Sequence, residues 1–397
     1  MLKKIYLDYA SATPIDRRVS RTILNTEKKF WQNPSALHGG GVLSSKFLLS
    51  CRKKVAELLN AHHDEIIFTS GSTESNNLAI LGVLKYFLKS NKKASIFVLS
   101  IDHPSIIETA KNAHKNVVFG FLSVDKEGFL ETESLKKALA KNPTMISFGY
   151  VNGEIGTVQN IKEIMKAVRK HRKDTGKPFP YVHIDATQAV GVLPLETNVL
   201  GIDLMSLDSS KFYGPKGAGV LFIRRGVSVI PLLSGGGQED GRRSGTENLP
   251  GIAGFTKALE ISKEMETREY KRLQKLQKNF TALILKSFKD ASINGPIDIF
   301  KRSPAISSFC FPEIDSEQAV FILDSFGISV SPSSSCQNLK ERSNSYVVES
   351  ISKDKCGTSS LRFSFGRSTT KKDFSKVMEA LKKATEQSKN KKFTLTL

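Results

Sequence analysis

The sequence predicts an α/β protein: a large domain with a mostly parallel mixed sheet between helices, followed by a smaller α+β domain. Three observations predict it. Short apolar runs alternate with helical stretches through the first two thirds of the chain, the pattern of strand–helix–strand units with right-handed crossovers. Polar and glycine-bearing clusters follow directly after those runs, where an open parallel sheet gathers its ligand site. A long charged helix from about Thr256 to Phe288 then marks the passage into a second unit. The expected division is residues 16–260 for the large domain and residues 261–397, joined by the N-terminal segment 1–15, for the small one.

In chain order, residues 3–9 form a short apolar segment, which small residues and Pro14 then break. After a helix, Asn33 to Gly41 reads as a loop, because Pro34 and three consecutive glycines suppress helix formation. The next helix puts Leu48, Cys51, Val55 and Leu58 on one face, which makes Cys51 a core residue. Ile66 to Phe68 is a strand, and Thr69 to Asn77 turns from it into an apolar helix. That turn aims backbone N–H groups and the hydroxyls of Ser72 and Thr73 at an anion, with the helix dipole assisting. It lacks the lysine of a nucleotide P-loop, so a phosphate monoester fits it better than ATP. An ordinary capped helix start is the other reading.

Strands at Ile96–Leu99, Met145–Phe148 and Tyr181–Ile184 end in Asp102-His103, Asn152-Gly153-Glu154 and Asp185-Ala186-Thr187-Gln188, with a helix over Lys162–Lys170. A further apolar run ends in Met205 and leads through Asp208-Ser209-Ser210 to Lys211, which a Gly214-Pro215 turn pins. Held partly desolvated at a sheet edge, such an amine loses proton affinity and can form a Schiff base with an aldehyde cofactor. Val220–Ile223 is the next strand. The glycine-rich stretch Ser234–Thr246, with Arg242 and Arg243, reads on its own as a flexible surface connection. Beyond the long helix come a strand near Ile306–Phe309, a helix over Ser316–Phe326, the small-residue run Ser329–Cys336 and a strand at Leu361–Phe365. The last helix sets Val377, Ala380, Leu381 and Ala384 on one face, and the lysine-rich tail from Gln387 is expected to fray.

Bulk composition narrows the function. With 397 residues, 39% of them hydrophobic, the chain fills one large core and a second unit. No apolar run approaches the ~20 residues that span a bilayer, and the first residues turn polar too soon for a secretory signal. The expectation is a cytoplasmic protein with no membrane partner. The formal charge of +20 comes from lysines scattered over the chain with no aromatic-interleaved patch, so no direct nucleic-acid contact is expected. Four cysteines without a CxxC pair argue against a disulfide scaffold and against a structural zinc site, and no metal is expected.

Taken together, the Lys211 turn, Asp185-Ala186-Thr187-Gln188, Asp102-His103, Ser72-Thr73, Arg243-Ser244-Gly245-Thr246 and Ser333-Ser334-Ser335-Cys336 closely resemble the cysteine desulfurases of the NifS/IscS type. These are pyridoxal 5′-phosphate (PLP) enzymes of fold type I in the class V aminotransferase superfamily. The resemblance runs from Tyr6 to about Thr370 with its motifs in order. It implies that Lys211 holds PLP through its amine and shuttles the α-proton, that Asp185 pairs with the pyridinium nitrogen, and that Gln188 donates to the phenolic oxygen. It implies a stacking and proton-transfer role for His103, and a phosphate cup at Ser72 and Thr73. Thr246 reaches the phosphate bound by the other subunit, which implies a homodimer. Arg362 grips the carboxylate of an L-cysteine substrate and Asn33 makes a second contact with it. Cys336 is the implied nucleophile, taking the sulfur as a persulfide and leaving alanine; an acceptor protein, an iron–sulfur scaffold or a tRNA-thiolation enzyme, receives it. Arg362 lies 26 positions beyond Cys336, the long spacing of members that hand sulfur to such partners. Cys356 carries no implied role, and Cys310 is expected to be buried and inert.

Three departures accompany the resemblance. Asp208-Ser209-Ser210 stands where the family has a serine and a histidine that bind phosphate, Gly153 replaces a cofactor-contacting asparagine, and Ala12 replaces a threonine. A carboxylate at Asp208 repels a phosphate unless it turns away or pairs with a cation. Two other readings therefore stand beside the first: a selenocysteine lyase or other PLP lyase on the same fold, and a catalytically weak sulfur-relay binding partner.

Overall fold

The computed structural model describes residues 4–90, 93–332, 344–352 and 355–394. The N-terminal part runs β1 (Ile5–Tyr6), α1 (Arg17–Lys29), α2 (Gly39–Leu59), β2 (Ile66–Thr69), α3 (Ser72–Ser90), β3 (Ala94–Leu99), α4 (Pro104–Lys111), β4 (Val117–Leu122) and α5 (Thr132–Leu139). There follow β5 (Met145–Gly149), α6 (Ile161–Thr175), β6 (Tyr181–Asp185), α7 (Thr197–Leu200), β7 (Leu204–Asp208) and β8 (Gly219–Ile223). The remainder is α8 (Leu249–Ser287), β9 (Ser292–Ile293), β10 (Ile306–Cys310), α9 (Ser316–Ser325), β11 (Ile328–Ser329), β12 (Ser331–Pro332), α10 (Tyr346–Ile351), β13 (Ser360–Ser364) and α11 (Phe374–Thr394).

The expected α/β architecture is present. Seven strands form one sheet in the order β2-β8-β7-β6-β5-β3-β4. All point the same way except β8, which is antiparallel to both β2 and β7. Helices cover both faces, and the alternation of side chains along each strand divides the core accordingly. Ile67, Ile96, Val98 and Met145 pack with α3 and α4, whereas Phe68, Phe97, Ile146 and Phe148 pack with α2, α6 and α8. Each such side chain fully buried contributes ~1.5–3 kcal/mol.

A four-stranded antiparallel sheet, β12-β13-β10-β9, carries the second core. Phe280 stands at its centre, with Phe309, Phe363, Phe365 and Phe374 within 4.9 to 6.1 Å, ring to ring. Helix α8 joins the two cores: Ile252 to Ile261 pack into the large one, Leu273 to Ile284 into the other. The N-terminal strand β1 pairs with β11, in parallel, as a separate two-stranded sheet, and Ile5 and Leu7 pack into the second core before Ala10 enters the larger one.

Three expectations are corrected. The stretch Asn33–Gly41 is not all loop, because α2 already starts at Gly39, with His38 Nδ1 capping the Gly41 N–H. A Cβ on Gly41 would fall 2.3 Å from the Ala36 carbonyl oxygen, so that glycine serves a close approach and does not break the helix. The tail beyond Gln387 continues as α11 to Thr394, where fraying was expected. Cys310 and Cys356 form a disulfide, which ties β10 to the segment before β13. Spacing in sequence hid this pair because 46 residues separate the two. Cys51 is a free, buried thiol whose pKa burial pushes up to about 11.

Candidate active site

Five strands deliver polar residues to the same edge of the large sheet. β2 ends at Ser72-Thr73, β3 at Asp102-His103, β5 at Asn152-Gly153, β6 at Asp185-Gln188 and β7 at Asp208-Lys211. These residues line one cleft of about 430 Å³, closed from the other side by Ser11, Ser345, Tyr346 and Arg362. Strand direction explains the gathering: carboxyl ends of parallel strands converge where the flanking helices begin.

Lys211 ends a 3₁₀ turn that starts at Asp208. Thr13 clamps that turn, its hydroxyl donating to the Ser210 carbonyl at 2.9 Å and accepting the Tyr213 N–H at 2.7 Å. Tyr213 is held at a φ of +67°, which aims the chain back toward Gly214. The half-buried Lys211 ammonium donates to the Ser11 carbonyl within the cleft. The phosphate-type turn is equally fixed. Gly71 has a φ of +152°, and a Cβ on Gly219 of β8 would lie 2.6 Å from the Gly71 Cα, so only glycines allow this approach.

Asp185 accepts the Thr187 N–H at 3.0 Å and the Asn76 amide at 2.8 Å. The buried Asn76 also donates to Ser105 Oγ at 2.9 Å, and Ser105 Oγ lies 2.8 Å from His103 Nδ1. Nδ1 further accepts the Ser105 N–H at 3.1 Å, which leaves the proton of the neutral ring on Nε2. His103 opens into the cleft, yet desolvation, with help from the Lys211 ammonium and against Asp185, holds its pKa below the ordinary histidine value. The adjoining Asp102 is buried, and its pKa is pushed up to about 8 by that burial. The Gln188 amide donates to the Ala10 carbonyl at 2.9 Å.

Arg362, on β13, pairs with Asp8 at 2.8 Å and donates to Ser11 Oγ at 2.7 Å and to the Gly153 carbonyl at 3.0 Å. Its Nε is buried without a partner. The site therefore brings Lys211, Asp185, Gln188, His103, Ser72, Thr73 and Arg362 together. Asn33 and Thr246 are not in this cleft. Asn33 is exposed between α1 and α2, its side chain accepting the Ser35 N–H, and Thr246 is exposed and lines a separate pocket with Thr69, Ser70 and Arg243. Cys336 lies outside the described residues. Asn76 and Ser105 escaped the sequence reading; the signal available was that Asn76 follows Ser72 by one helical turn and so shares its face.

The donor set fits an aromatic aldehyde bearing a phosphate. It offers an amine, a carboxylate backed by an amide, a ring nitrogen carrying a proton, and backbone N–H groups at the start of the 19-residue helix α3. Among the described residues, no group of three or more His, Cys, Asp or Glu side chains is placed to hold a metal ion.

The pattern that defines the aminotransferase class-V family matches residues 5–377. The chain belongs to this family. Its class-V relatives include the cysteine desulfurase IscS of Dictyoglomus turgidum, 36% identical with 98% of this chain and 96% of that protein covered. A mitosomal cysteine desulfurase of Encephalitozoon cuniculi is 38% identical over 97% of this chain and 88% of its own length. A solved NifS-like protein superposes with a TM-score of 0.86 at 31% identity, covering 96% of this chain and 98% of that one. The family is PLP-dependent. Lys211, Asp185 and the Ser72–Thr73 turn are the groups of this class-V chain that fit the cofactor's aldehyde, ring nitrogen and phosphate.

Proposed function

We propose that the chain is a PLP-dependent cysteine desulfurase, converting L-cysteine to L-alanine and passing the sulfur, through a persulfide on Cys336, to an acceptor protein. One observation supports this reading above the others. The stretch that carries Cys336 leaves β12 after Pro332, next to Ser331, which pairs with Arg362, and the described chain resumes at Asn344, next to Ser345, which donates to Glu154 on the cleft rim. Both ends of the cysteine-bearing stretch therefore abut the cleft that holds Lys211.

Bound PLP supplies an electron sink for bonds at the substrate's α-carbon. Lys211 would hold the aldehyde and move the α-proton, Asp185 would keep the ring nitrogen protonated, and His103, neutral with its proton on Nε2, would serve in proton transfer. The Arg362 guanidinium, which lines the cleft, would receive the substrate carboxylate. The Cys336 thiolate attacks the substrate sulfur: an S–S bond forms, the C–S bond breaks with its electron pair left on carbon, and that carbon takes up a proton to become the methyl group of alanine. Residues 16–260 carry the cofactor in this reading, and residues 261–397 with 1–15 carry the thiol and Arg362. Thr246 and Asn33 act from the second subunit of a homodimer in the cytoplasm, and the acceptor is an iron–sulfur scaffold or a tRNA-thiolation enzyme.

The test is alanine and sulfide release from L-cysteine with a reductant present. Lys211→Ala and Cys336→Ala are each expected to lower alanine formation on the order of a thousandfold, with Cys336→Ala still binding PLP. Alanine formation that survives Cys336→Ala would remove the persulfide step.

A further inference from the structure

The carboxylate of Asp208 does not turn away from the phosphate-type turn. Its Oδ2 accepts the Ser72 backbone N–H at 3.2 Å and lies 3.5 Å from Ser72 Oγ, while Oδ1 accepts the Ser210 N–H at 2.9 Å. A Cβ built on Gly71 would stand 2.9 Å from the same Oδ2. Helix α3 directs its positive end here, so its first N–H group, available elsewhere to a ligand oxygen, is spent on the chain's own anion. Asp208 and Ser72 both line the Lys211 cleft.

We propose that Asp208 is a resident anion in the phosphate subsite and that it sets how strongly the chain distinguishes PLP from pyridoxal, the aldehyde without the phosphate. This rests on the assignment of the phosphate to the Ser72–Thr73 turn in the reading above. A phosphate entering that turn meets a carboxylate already bonded to the N–H it needs. It must displace the carboxylate and bear its repulsion, a handicap of about fivefold to about 700-fold for like charges about 4 Å apart, from full to partial exposure to water. Pyridoxal brings a neutral hydroxymethyl group to the same place and carries no such handicap. The preference for the phosphorylated aldehyde is accordingly compressed in this chain.

Equilibrium titration of the cofactor-free full chain with PLP and with pyridoxal, read from the absorption shift of each aldehyde, measures the ratio of the two dissociation constants. Pyridoxine 5′-phosphate and pyridoxine, which have no aldehyde, repeat the measurement without any bond to Lys211. Asp208→Ser is expected to tighten both phosphorylated ligands by about fivefold to about 700-fold and to leave both unphosphorylated ones within about twofold. Asp208→Asn keeps the side chain's volume and its acceptor for the Ser210 N–H, and is expected to move the ratio in the same direction. Variants that leave the ratio unchanged, or tighten all four ligands alike, would overturn the proposal, as would a chain that binds none of them. The desulfurase reading fails on a separate result, cofactor bound but no alanine formed, whichever way the ratio falls.

Discussion

At the scale of single residues, Asp102 is the group whose ionisation the fold most opposes. Its Oδ2 accepts the Leu99 N–H at 2.9 Å and its Oδ1 the Gly149 N–H at 2.7 Å, and both bonds favour the charged form. Burial outweighs them and, with the nearby Asp185 charge adding to it, brings the pKa to about 8. The unfolded value is about 3.9. A carboxyl raised in the folded state contributes its full stability below the unfolded pKa and loses it as pH rises through the folded one. Asp102→Asn removes the titration, so the variant's stability relative to the wild type is expected to climb between about pH 4 and pH 8, by at most ~1.4 kcal/mol per pH unit. Denaturant unfolding of both proteins without cofactor, across about pH 5 to 8 where both remain folded, measures it. The other charged and titratable neighbours, His103 and Asp185, are common to both proteins, so stability curves that run parallel would mean that Asp102 stays ionised throughout.

At the scale of elements, a buried ion pair clamps the glycine-rich segment that precedes α8 to α2 and β2. Arg52 of α2 donates to both carboxylate oxygens of Glu239, at 2.6 and 2.8 Å, and to the Ile66 carbonyl at 2.5 Å; Glu239 in turn accepts the Phe68 N–H at 2.9 Å. Arg52 is 8% exposed and Glu239 4%, so neither charge is solvated if its partner is lost. Glu239→Ala is therefore expected to cost about 3–5 kcal/mol, read as a lowered denaturant midpoint. Replacing both residues by leucine is expected to cost less, because no charge is then left buried alone. A single variant within about 1 kcal/mol of wild type would show that water reaches Arg52. This clamp also marks where sequence reading stops. Strands and the polar residues after them were legible, since each apolar run is short and bounded, and Ser72, His103, Asp185, Gln188 and Lys211 follow their strands as the pattern requires. The segment with Glu239 read as a flexible connection because its partner is 187 positions away. Strand β4 is harder to read because it is at the sheet's edge: Val118 and Phe121 are exposed, Val117 and Phe119 are only half-buried against the core, and Gly120 interrupts the apolar run. The Cys310–Cys356 bond and the position of Asp208 are likewise facts of three-dimensional proximity.

At the scale of the whole molecule, the question is whether one chain completes its own site. Within a protomer, Thr246 is exposed outside the Lys211 cleft, in a separate pocket with Ser70 and Arg243, whose ion pair with Glu74 spans 2.9 Å. A twofold axis through that face would bring the Thr246 of one copy to the phosphate turn of the other, which makes each site the joint product of two chains. Subunit mixing separates this arrangement from a site built within one chain. Lys211→Ala removes the anchoring amine, and Thr246→Val removes the hydroxyl while keeping the shape. In a dimer formed from one chain of each kind, one site combines both losses, and the other combines the intact Lys211 of one chain with the intact Thr246 of the other. After unfolding and refolding an equal mixture, half the dimers are mixed, so about one quarter of all sites regain the wild-type pair. Alanine formation at limiting PLP is expected to rise above the average of the two parents by about one quarter of the difference between wild type and the Thr246→Val parent. A mixture that only averages its parents would place Thr246 at its own chain's phosphate or at none.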